Sequence, residues 1–198
     1  PAIKDGSKVL EKGTDYELTE ESTGTDVGTY EVTFTGKGNY CDSVKKEWKI
    51  INATMAKPVE NPYNGVYDGL PHSASVSVSS PTDAIITYST SQNGTFDKEK
   101  ITYTDVGEHT IYYKITKDNY NSKSGTLMVK ISPKSIAADW FTISSDSYKY
   151  DGNTKEPTIT VKDGDKILVK DTDYTVSGNA TGSSIGEYAV EIEGKGNY

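Results

Sequence analysis

The residue types that most often carry catalysis are scarce in this chain of 198 residues. There are two histidines, His72 and His109, and a single cysteine, Cys41. Nucleophilic catalysis needs a serine or cysteine beside a base, and the sequence has no Gly-x-Ser-x-Gly, phosphate-loop or His-Glu-x-x-His motif. We expect His72, just after the turn at Asp68-Gly69, to face solvent, and His109 to replace a packed tyrosine of an internal repeat. The sequence therefore predicts no enzymatic activity and no cofactor.

Carboxylates cluster towards the end of the chain, where oxygen-rich loops between strands could bind Ca²⁺. They occur as Asp163-Gly164-Asp165 and Asp171-x-Asp173. The equivalent positions of an earlier repeat keep only two of the four carboxylates, Asp5 and Asp15. The spacing matches no EF-hand, and the two histidines lie too far apart in sequence for a zinc motif. We therefore interpret these residues as solvated turn residues and predict no metal site.

Tyrosine is a further candidate for binding chemistry, because the chain contains 15 of these residues. Flat aromatic rings can stack on sugars, and tyrosine is common at protein interfaces. The tyrosines without an aromatic equivalent in the repeats are the candidate ligand-binding residues Tyr63, Tyr103 and Tyr112. Tyr112 should point to the opposite face of its strand from Tyr113. The alternative is cross-strand packing, which accounts for many tyrosines on sheets.

The charge of the chain argues against nucleic acid as a partner. All 21 basic residues are lysine, and 29 acidic residues bring the net charge to −8. Such a surface lacks the clustered positive charge that neutralises phosphates. No run of about 18 apolar residues occurs, so no membrane span is predicted in this segment. The single cysteine excludes a disulfide within the chain.

An internal repeat is the strongest signal in the sequence. Residues 4–40 align with residues 162–198 at an offset of 158 without a gap, and 19 of the 37 positions are identical. Both copies end in Gly-Lys-Gly-Asn-Tyr. A weaker copy lies halfway, where Asp105-Val106-Gly107 matches Asp26-Val27-Gly28 and the run ends in Asp118-Asn119-Tyr120. The period of about 79 residues suits a small self-contained sandwich.

The repeats have the residue pattern of strands. Residues 29–34 and 187–192 alternate polar and apolar side chains, and residues 109–115 place Ile111, Tyr113 and Ile115 on one face. No window of 11 or more residues has a helical apolar period, and Asp-Gly and Asn-Gly turn signals recur along the chain. We therefore predict an all-β protein whose helices are short or absent. In the Gly-x-Gly-Asn-Tyr run, a glycine should adopt positive φ.

The phase of the repeat predicts three modules. The first module (residues 1–50) lacks its first strand or strands, the middle module (51–132) is complete, and the third module (133–198) lacks its last strand. An incomplete sandwich leaves a sheet edge open. We therefore expect neighbouring repeat modules, or neighbouring chains, to complete these edges.

These motifs resemble bacterial Ig-like repeats. The resemblance rests on Tyr150-Asp151-Gly152 with a proline a few residues on, on the Thr-Asp-Tyr strand, and on the Val-Gly-x-Tyr to Gly-Lys-Gly-Asn-Tyr ending. The middle module, with Val66-Tyr67-Asp68-Gly69, is similar to the related YDG/MBG-type repeats. The resemblance covers the whole chain. It implies tandem Ig-like β-sandwich modules in a secreted or surface-anchored bacterial protein, hence an extracellular location.

The resemblance leaves two functions open. The first is a non-enzymatic stalk or spacer that also serves as an adhesion or interaction region of a bacterial surface protein. The alternative is a module that binds a carbohydrate or a host protein, with its site on the middle module. The middle module has the sequence that diverges most from the other two. It is also nearly neutral, because it has seven lysines and eight acidic residues, whereas the first and third modules have seven lysines each and ten and eleven acidic residues.

Overall fold

The computed structural model describes residues 2–19 and 23–198, and nearly all of its regular structure is β-strand. A short 3₁₀ helix, Ala138–Trp140, precedes the fourteenth strand. In chain order the strands are β1 (Lys4–Asp5), β2 (Lys8–Val9), β3 (Tyr16–Thr19), β4 (Gly28–Gly36), β5 (Ser43–Ile50), β6 (Ala53–Thr54), β7 (Val59–Asn61), β8 (Tyr63–Val66), β9 (Ser75–Ser77), β10 (Ile85–Ser89), β11 (Gly107–Thr116), β12 (Tyr120–Asn121), β13 (Lys123–Ser132), β14 (Phe141–Ile143), β15 (Ile159–Asp163), β16 (Lys166–Ile167), β17 (Tyr174–Gly178) and β18 (Val190–Gly194). The predicted all-β class is confirmed. In the described part of the chain, no helix is long and apolar enough to cross a bilayer.

The chain forms two compact units. Unit 1 consists of Pro1–Lys57, Val78–Ile85 and Ile115–Lys123, and unit 2 consists of Pro58–Ser77, Ile86–Lys114 and Ser124–Tyr198. The two units are therefore discontinuous in sequence. The predicted module boundaries at residues 50 and 132 stay predictions.

Unit 1 is built around the antiparallel sheet β3-β4-β5. The central strand, β4, alternates polar and apolar residues as predicted, and its partner β5 places Trp48 directly opposite Tyr30. The two rings stack with their centroids 4.7 Å apart. Directly opposed aromatic residues are among the stronger cross-strand pairs, so this pair helps to hold β5 on the sheet.

Unit 2 contains most of the four-stranded sheet β10-β11-β13-β8. In β11 the predicted inward face is confirmed, because Ile111, Tyr113 and Ile115 are at most 2% exposed. Tyr113 also donates a hydrogen bond of 2.7 Å from its hydroxyl to the Glu60 carboxylate. Each fully buried side chain of this size contributes about 1.5–3 kcal/mol through burial of apolar surface.

A second apolar cluster in unit 2 lies within the third module. Its buried members are Val161, Leu168, Tyr174 and Tyr198, with Trp140 packed against them. The Trp140 and Tyr198 rings meet edge to face at 6.3 Å between centroids. This cluster explains why the closing tyrosine of the Gly-Lys-Gly-Asn-Tyr run matters, since that residue anchors the chain in the core.

The sequence repeat is also a repeat of hydrogen bonds. Asp15 Oδ2 accepts the backbone N–H of Glu11 at 3.0 Å, and its equivalent Asp173 accepts that of Val169 at 2.8 Å. In the same way, Lys37 Nζ donates to the Gly13 carbonyl, and the equivalent Lys195 donates to the Asp171 carbonyl. The motif residues of the two similar copies therefore form the same hydrogen bonds and close the same turns.

The turn before each closing tyrosine differs between the copies. Gly38 and Gly196 both have φ 65°, as the motif predicted. The middle copy has no glycine there, and its left-handed residue is Asn119, with φ 63°. Asparagine tolerates this conformation better than most residues, so the turn is kept with a different local geometry.

Candidate functional site

The middle module brings both histidines and two of the candidate tyrosines together. His72 and Tyr103 are directly paired in an antiparallel bridge, with both backbone hydrogen bonds at 2.8 Å. The ring of Tyr63, on β8, stacks on His72 at 4.1 Å between centroids. The ring of Tyr103 stacks on His109, on β11, at 3.9 Å. We call these four residues the histidine–tyrosine cluster.

Asp68 orients one imidazole of the histidine–tyrosine cluster. Its Oδ1 atom lies 2.9 Å from His72 Nε2, and the same oxygen accepts the Leu70 backbone N–H at 2.8 Å. The hydrogen bond with His72, followed by that from Leu70, lowers the pKa of the Asp68 carboxyl. The His72 side chain is only 18% exposed, so the prediction that it faces solvent is wrong. The Tyr63 ring covers one face of the His72 imidazole, which the sequence had predicted to be exposed to solvent.

His109 has the packing role that the repeat predicted. In the similar copies, a tyrosine ring at this position lies over a glycine, Gly24 under Tyr30 and Gly182 under Tyr188. In the middle module the glycine position is taken by Tyr103, whose ring is nearly parallel to the imidazole of His109. A stacked pair of rings in the middle module thus replaces the ring-on-glycine contact of the other two copies. His109 Nε2 is buried and makes no hydrogen bond within the described residues.

The three candidate ligand-binding tyrosines do not form one site. Tyr63 and Tyr103 belong to the histidine–tyrosine cluster, are half-buried, and each have one ring face covered by an imidazole. Tyr112 lies on β11 but on the face opposite Tyr113, as predicted from strand alternation. A sugar ring stacks on a free aromatic face. The glycan-binding role of these residues stays a prediction.

The carboxylates of the third module have structural partners. Asp163 pairs with Lys134, whose Nζ lies 2.6 Å from a carboxylate oxygen, and Asp173 caps a backbone N–H. In the part of the chain that the structure describes, no group of three or more His, Cys, Asp or Glu residues is placed to hold a metal ion. Cys41 is exposed, and its thiol lies 3.6 Å from the Asp42 carboxylate.

A different residue, the motif asparagine, makes the contact that recurs along the chain. In unit 1, the Asn119 side chain accepts the Val27 backbone N–H at 3.1 Å and donates to the Asp26 carboxylate at 3.1 Å. Its main-chain carbonyl also accepts the N–H of Ala53 at 2.8 Å. Two of these hydrogen bonds connect Asn119 of the middle module to the Asp-Val-Gly turn of the first module, and the third ties Asn119 to the segment with which its own module begins.

Unit 2 contains the same three hydrogen bonds. Asn197 accepts the Val106 N–H at 2.8 Å and donates to Asp105 at 2.9 Å, while its carbonyl accepts the Lys134 N–H at 3.0 Å. We call this arrangement the asparagine clasp. The equivalent Asn39 of the first module is exposed and makes no such bond within the described residues.

Sequence reasoning missed the asparagine clasp, although one signal pointed to it. The dipeptide Asn-Tyr ends all three copies, including the middle one, which has lost the flanking glycines. A turn alone does not require asparagine where a glycine already supplies the positive φ. That retained asparagine could have indicated a contact outside its own turn.

A cavity with a volume of about 430 Å³ lies within the third module. It is lined by residues of 143–157 on one side and of 179–190 on the other, among them Tyr148, Tyr188 and Val190. Tyr148 and Tyr188 are 47% and 44% exposed. This groove is not in the middle module, where the alternative function placed its site.

These features define the class of the protein as an all-β chain with an internal repeat. No protein-family model matches the chain, and no curated protein is significantly similar to it.

Proposed function

We propose that this chain is a non-enzymatic segment of tandem Ig-like β-sandwich modules that acts as a spacer and interaction region of a bacterial cell-surface protein. The observation that carries the proposal is the asparagine clasp, which occurs twice with the same three hydrogen bonds. A spacer has to hold each module in a defined position against the next. A contact that recurs at successive module boundaries is suited to that task.

The geometry of the clasp limits bending at a boundary. Its side-chain bonds join residues of two successive modules that are 91 to 93 positions apart. Its main-chain bond ties the same asparagine to the segment that lies between the two modules in sequence. A linker alone would leave two modules free to swivel. One carboxylate and two backbone N–H groups are bonded to a single asparagine, so displacing one module against the next would break more than one hydrogen bond.

The state of the histidines supports a non-enzymatic role. Each imidazole stacks on a tyrosine, and among the residues that the structure describes the carboxylate that contacts His72 is the exposed Asp68 of the preceding turn. The exposed Cys41 thiol lies 3.6 Å from the carboxylate of the adjacent Asp42 and not beside an imidazole. Nucleophilic catalysis needs the opposite arrangement, with a hydroxyl or thiol hydrogen-bonded to the base.

Spin-label distance measurements test the proposal within unit 1. In a Cys41→Ser background, labels at Lys46→Cys and Thr82→Cys report the separation of the first and middle modules. A spacer predicts one narrow distance distribution, which Asn119→Ala should broaden because the side-chain bonds of the clasp are lost. Asn39→Ala is the matched control, since it removes the same motif asparagine where no clasp forms, and it should leave the distribution narrow.

Two results would contradict the spacer proposal. One is a broad distribution of label distances in the protein with Asn119 intact. The other is a distribution that stays narrow in Asn119→Ala. A glycan array and a host-protein pull-down with the same chain address the interaction role separately, because binding there does not depend on stiffness at the module boundary.

A further inference from the structure

Strand β18 has a free edge where its repeat equivalent is fully paired. In the first module β4 lies between β3 and β5, whereas β18 pairs with β17 alone among the described residues. At the repeat offset of 158, β4 corresponds to residues 186–194, but only Val190–Gly194 form a strand. The stretch 186–189 has the sequence of a strand, but in the described part of the chain its main-chain pairing is limited to Ala189, whose carbonyl accepts the Asn179 N–H at 2.8 Å.

The side chains beside this edge are exposed to solvent, as expected for a strand that has no partner on that side. Tyr30 is covered by Trp48, but no ring in the described part of the chain stacks on its equivalent Tyr188, which is 44% exposed. The neighbouring Ile185 is 89% exposed, against 38% for its equivalent Val27. The Tyr188 ring is nevertheless held in place, because its hydroxyl donates to the Ser184 carbonyl at 2.9 Å.

Tyr188 and Val190 also line the cavity of about 430 Å³ in the third module. Cavities of this size accept large side chains. Residues of the free backbone edge therefore also line a recess with polar and apolar walls. Strand addition uses this combination, because main-chain hydrogen bonds supply affinity and pockets for alternate side chains supply specificity.

Charge complementarity indicates what kind of strand fits. In the β4–β5 register, Lys49 lies opposite Thr29 and Lys45 opposite Thr33. At the offset of 158 those two threonines become Glu187 and Glu191. A strand with the sequence of β5, bound in the same register, would thus place two lysines opposite two glutamates.

The same register aligns the apolar residues. Trp48 would lie opposite Tyr188, and Val44 opposite Ile192, as they lie opposite Tyr30 and Phe34 in the first module. Opposite charges and aromatic pairs both favour cross-strand association.

We propose that the free edge of residues 186–194 is a docking site for an extended antiparallel polypeptide strand with the side-chain pattern of β5. The tryptophan of that strand covers Tyr188, and its two lysines face Glu187 and Glu191. A second copy of this chain would have to detach β5 from β4 to offer that strand in the same register, because the side of β5 that would face residues 186–194 is occupied by β4. The proposal is independent of the stiffness that the spacer function requires.

The probe is a synthetic peptide of residues 41–50 carrying Cys41→Ser and a fluorescent label, titrated with the intact chain and followed by fluorescence anisotropy. Trp48→Ala in the peptide should weaken binding about tenfold, because buried aromatic anchors dominate such contacts. Backbone NMR shifts should change at residues 186–194. They should stay unchanged along β4, whose edge is occupied and which serves as the internal control.

A charge swap tests the register. Glu187→Lys with Glu191→Lys should weaken the native peptide several-fold at low salt, and a peptide with Lys45→Glu and Lys49→Glu should recover the loss. Appending the sequence of residues 41–50 after Tyr198 tests the same docking at high effective concentration, and it should protect the amides of residues 186–194 from exchange.

Each of the following results would overturn the proposal. One is that neither the free peptide nor the appended strand alters residues 186–194. A second is that the charge-swapped peptide binds no better to the charge-swapped chain. A third is that sedimentation shows the chain pairing with itself through this edge, which would make a second copy the occupant.

Discussion

Replacing Asn197 with alanine removes the side-chain half of one asparagine clasp and leaves the rest of its turn in place. Two hydrogen bonds are lost, from the Val106 backbone N–H to Oδ1 at 2.8 Å and from Nδ2 to the Asp105 carboxylate at 2.9 Å. The bond from the Lys134 N–H to the Asn197 carbonyl does not depend on the side chain and should survive.

The expected cost follows from the nature of the two bonds. A neutral hydrogen bond contributes about 0.5–1.5 kcal/mol and one to a charged group about 1.5–3 kcal/mol. Asp105 is exposed, so its bond should lie at or below the low end of that range. The clasp side chain should therefore contribute about 2 kcal/mol, of which about 1 kcal/mol should appear as coupling in a double-mutant cycle with Asp105→Ala.

Hydrogen exchange at the Val106 amide measures this cost directly, because that N–H is the donor in the clasp. A loss of about 2 kcal/mol corresponds to exchange about thirtyfold faster in Asn197→Ala, if exchange occurs through local opening. Asn39→Ala is the control for losing the motif asparagine itself and should leave the exchange rates of its own module nearly unchanged. Equal effects of the two substitutions, or an unchanged Val106 rate, would refute the view that the clasp stabilises the boundary.

Three further outcomes are expected. Burial, and then the hydrogen bond to a carboxylate, raises the pKa of Tyr113 to about 12. The free energy of unfolding should therefore fall by about 1.4 kcal/mol per pH unit as the pH rises from the ordinary pKa of 10.0 towards 12. Tyr113→Phe should remove that part of the slope in alkaline denaturation curves. His72→Ala should move the lowered pKa of Asp68 back up towards its ordinary value, which carboxyl NMR titration would detect. The ionised carboxylate should then contribute less stability above its ordinary pKa, so less stability should be lost when acidification protonates it. Gly178→Ala should destabilise the chain by clearly more than Gly6→Ala, for which we expect a loss of roughly 1 kcal/mol. Both glycines have positive φ, but of the two only Gly178 would place the new methyl group against a backbone oxygen, at 2.5 Å. Denaturant unfolding of the two variants compares their stabilities.

The local predictions were confirmed where a pattern of neighbouring residues determines the outcome. Strand alternation correctly placed Ile111 and Tyr113 on the buried face of β11 and Tyr112 on the other. The glycine run correctly predicted a left-handed residue in Gly38 and its repeat equivalent. The position of His109 in the repeat correctly predicted an aromatic packing role.

The prediction for His72 was wrong for a physical reason. Its neighbours in sequence are a proline and a turn, and such a position is usually hydrated. The imidazole is covered by Tyr63, nine residues earlier on a different strand, and is oriented by Asp68. The residues next to His72 in sequence do not indicate which aromatic side chain will pack against the imidazole in the folded protein.

The sequence by itself determined the all-β class, the internal repeat and the residues that close each turn, because these depend on side-chain alternation and backbone preferences over a few neighbouring positions. Only the tertiary structure decided which copies of a motif do more than that. In the part of the chain that the structure describes, Asn119 and Asn197 form clasps while Asn39 does not, and β4 is paired on both edges while β18 is paired on one. The motifs are alike in sequence, but their partners lie some 90 residues away or on another strand. The free energy of such contacts therefore depends on how distant segments pack, which the motif itself does not encode.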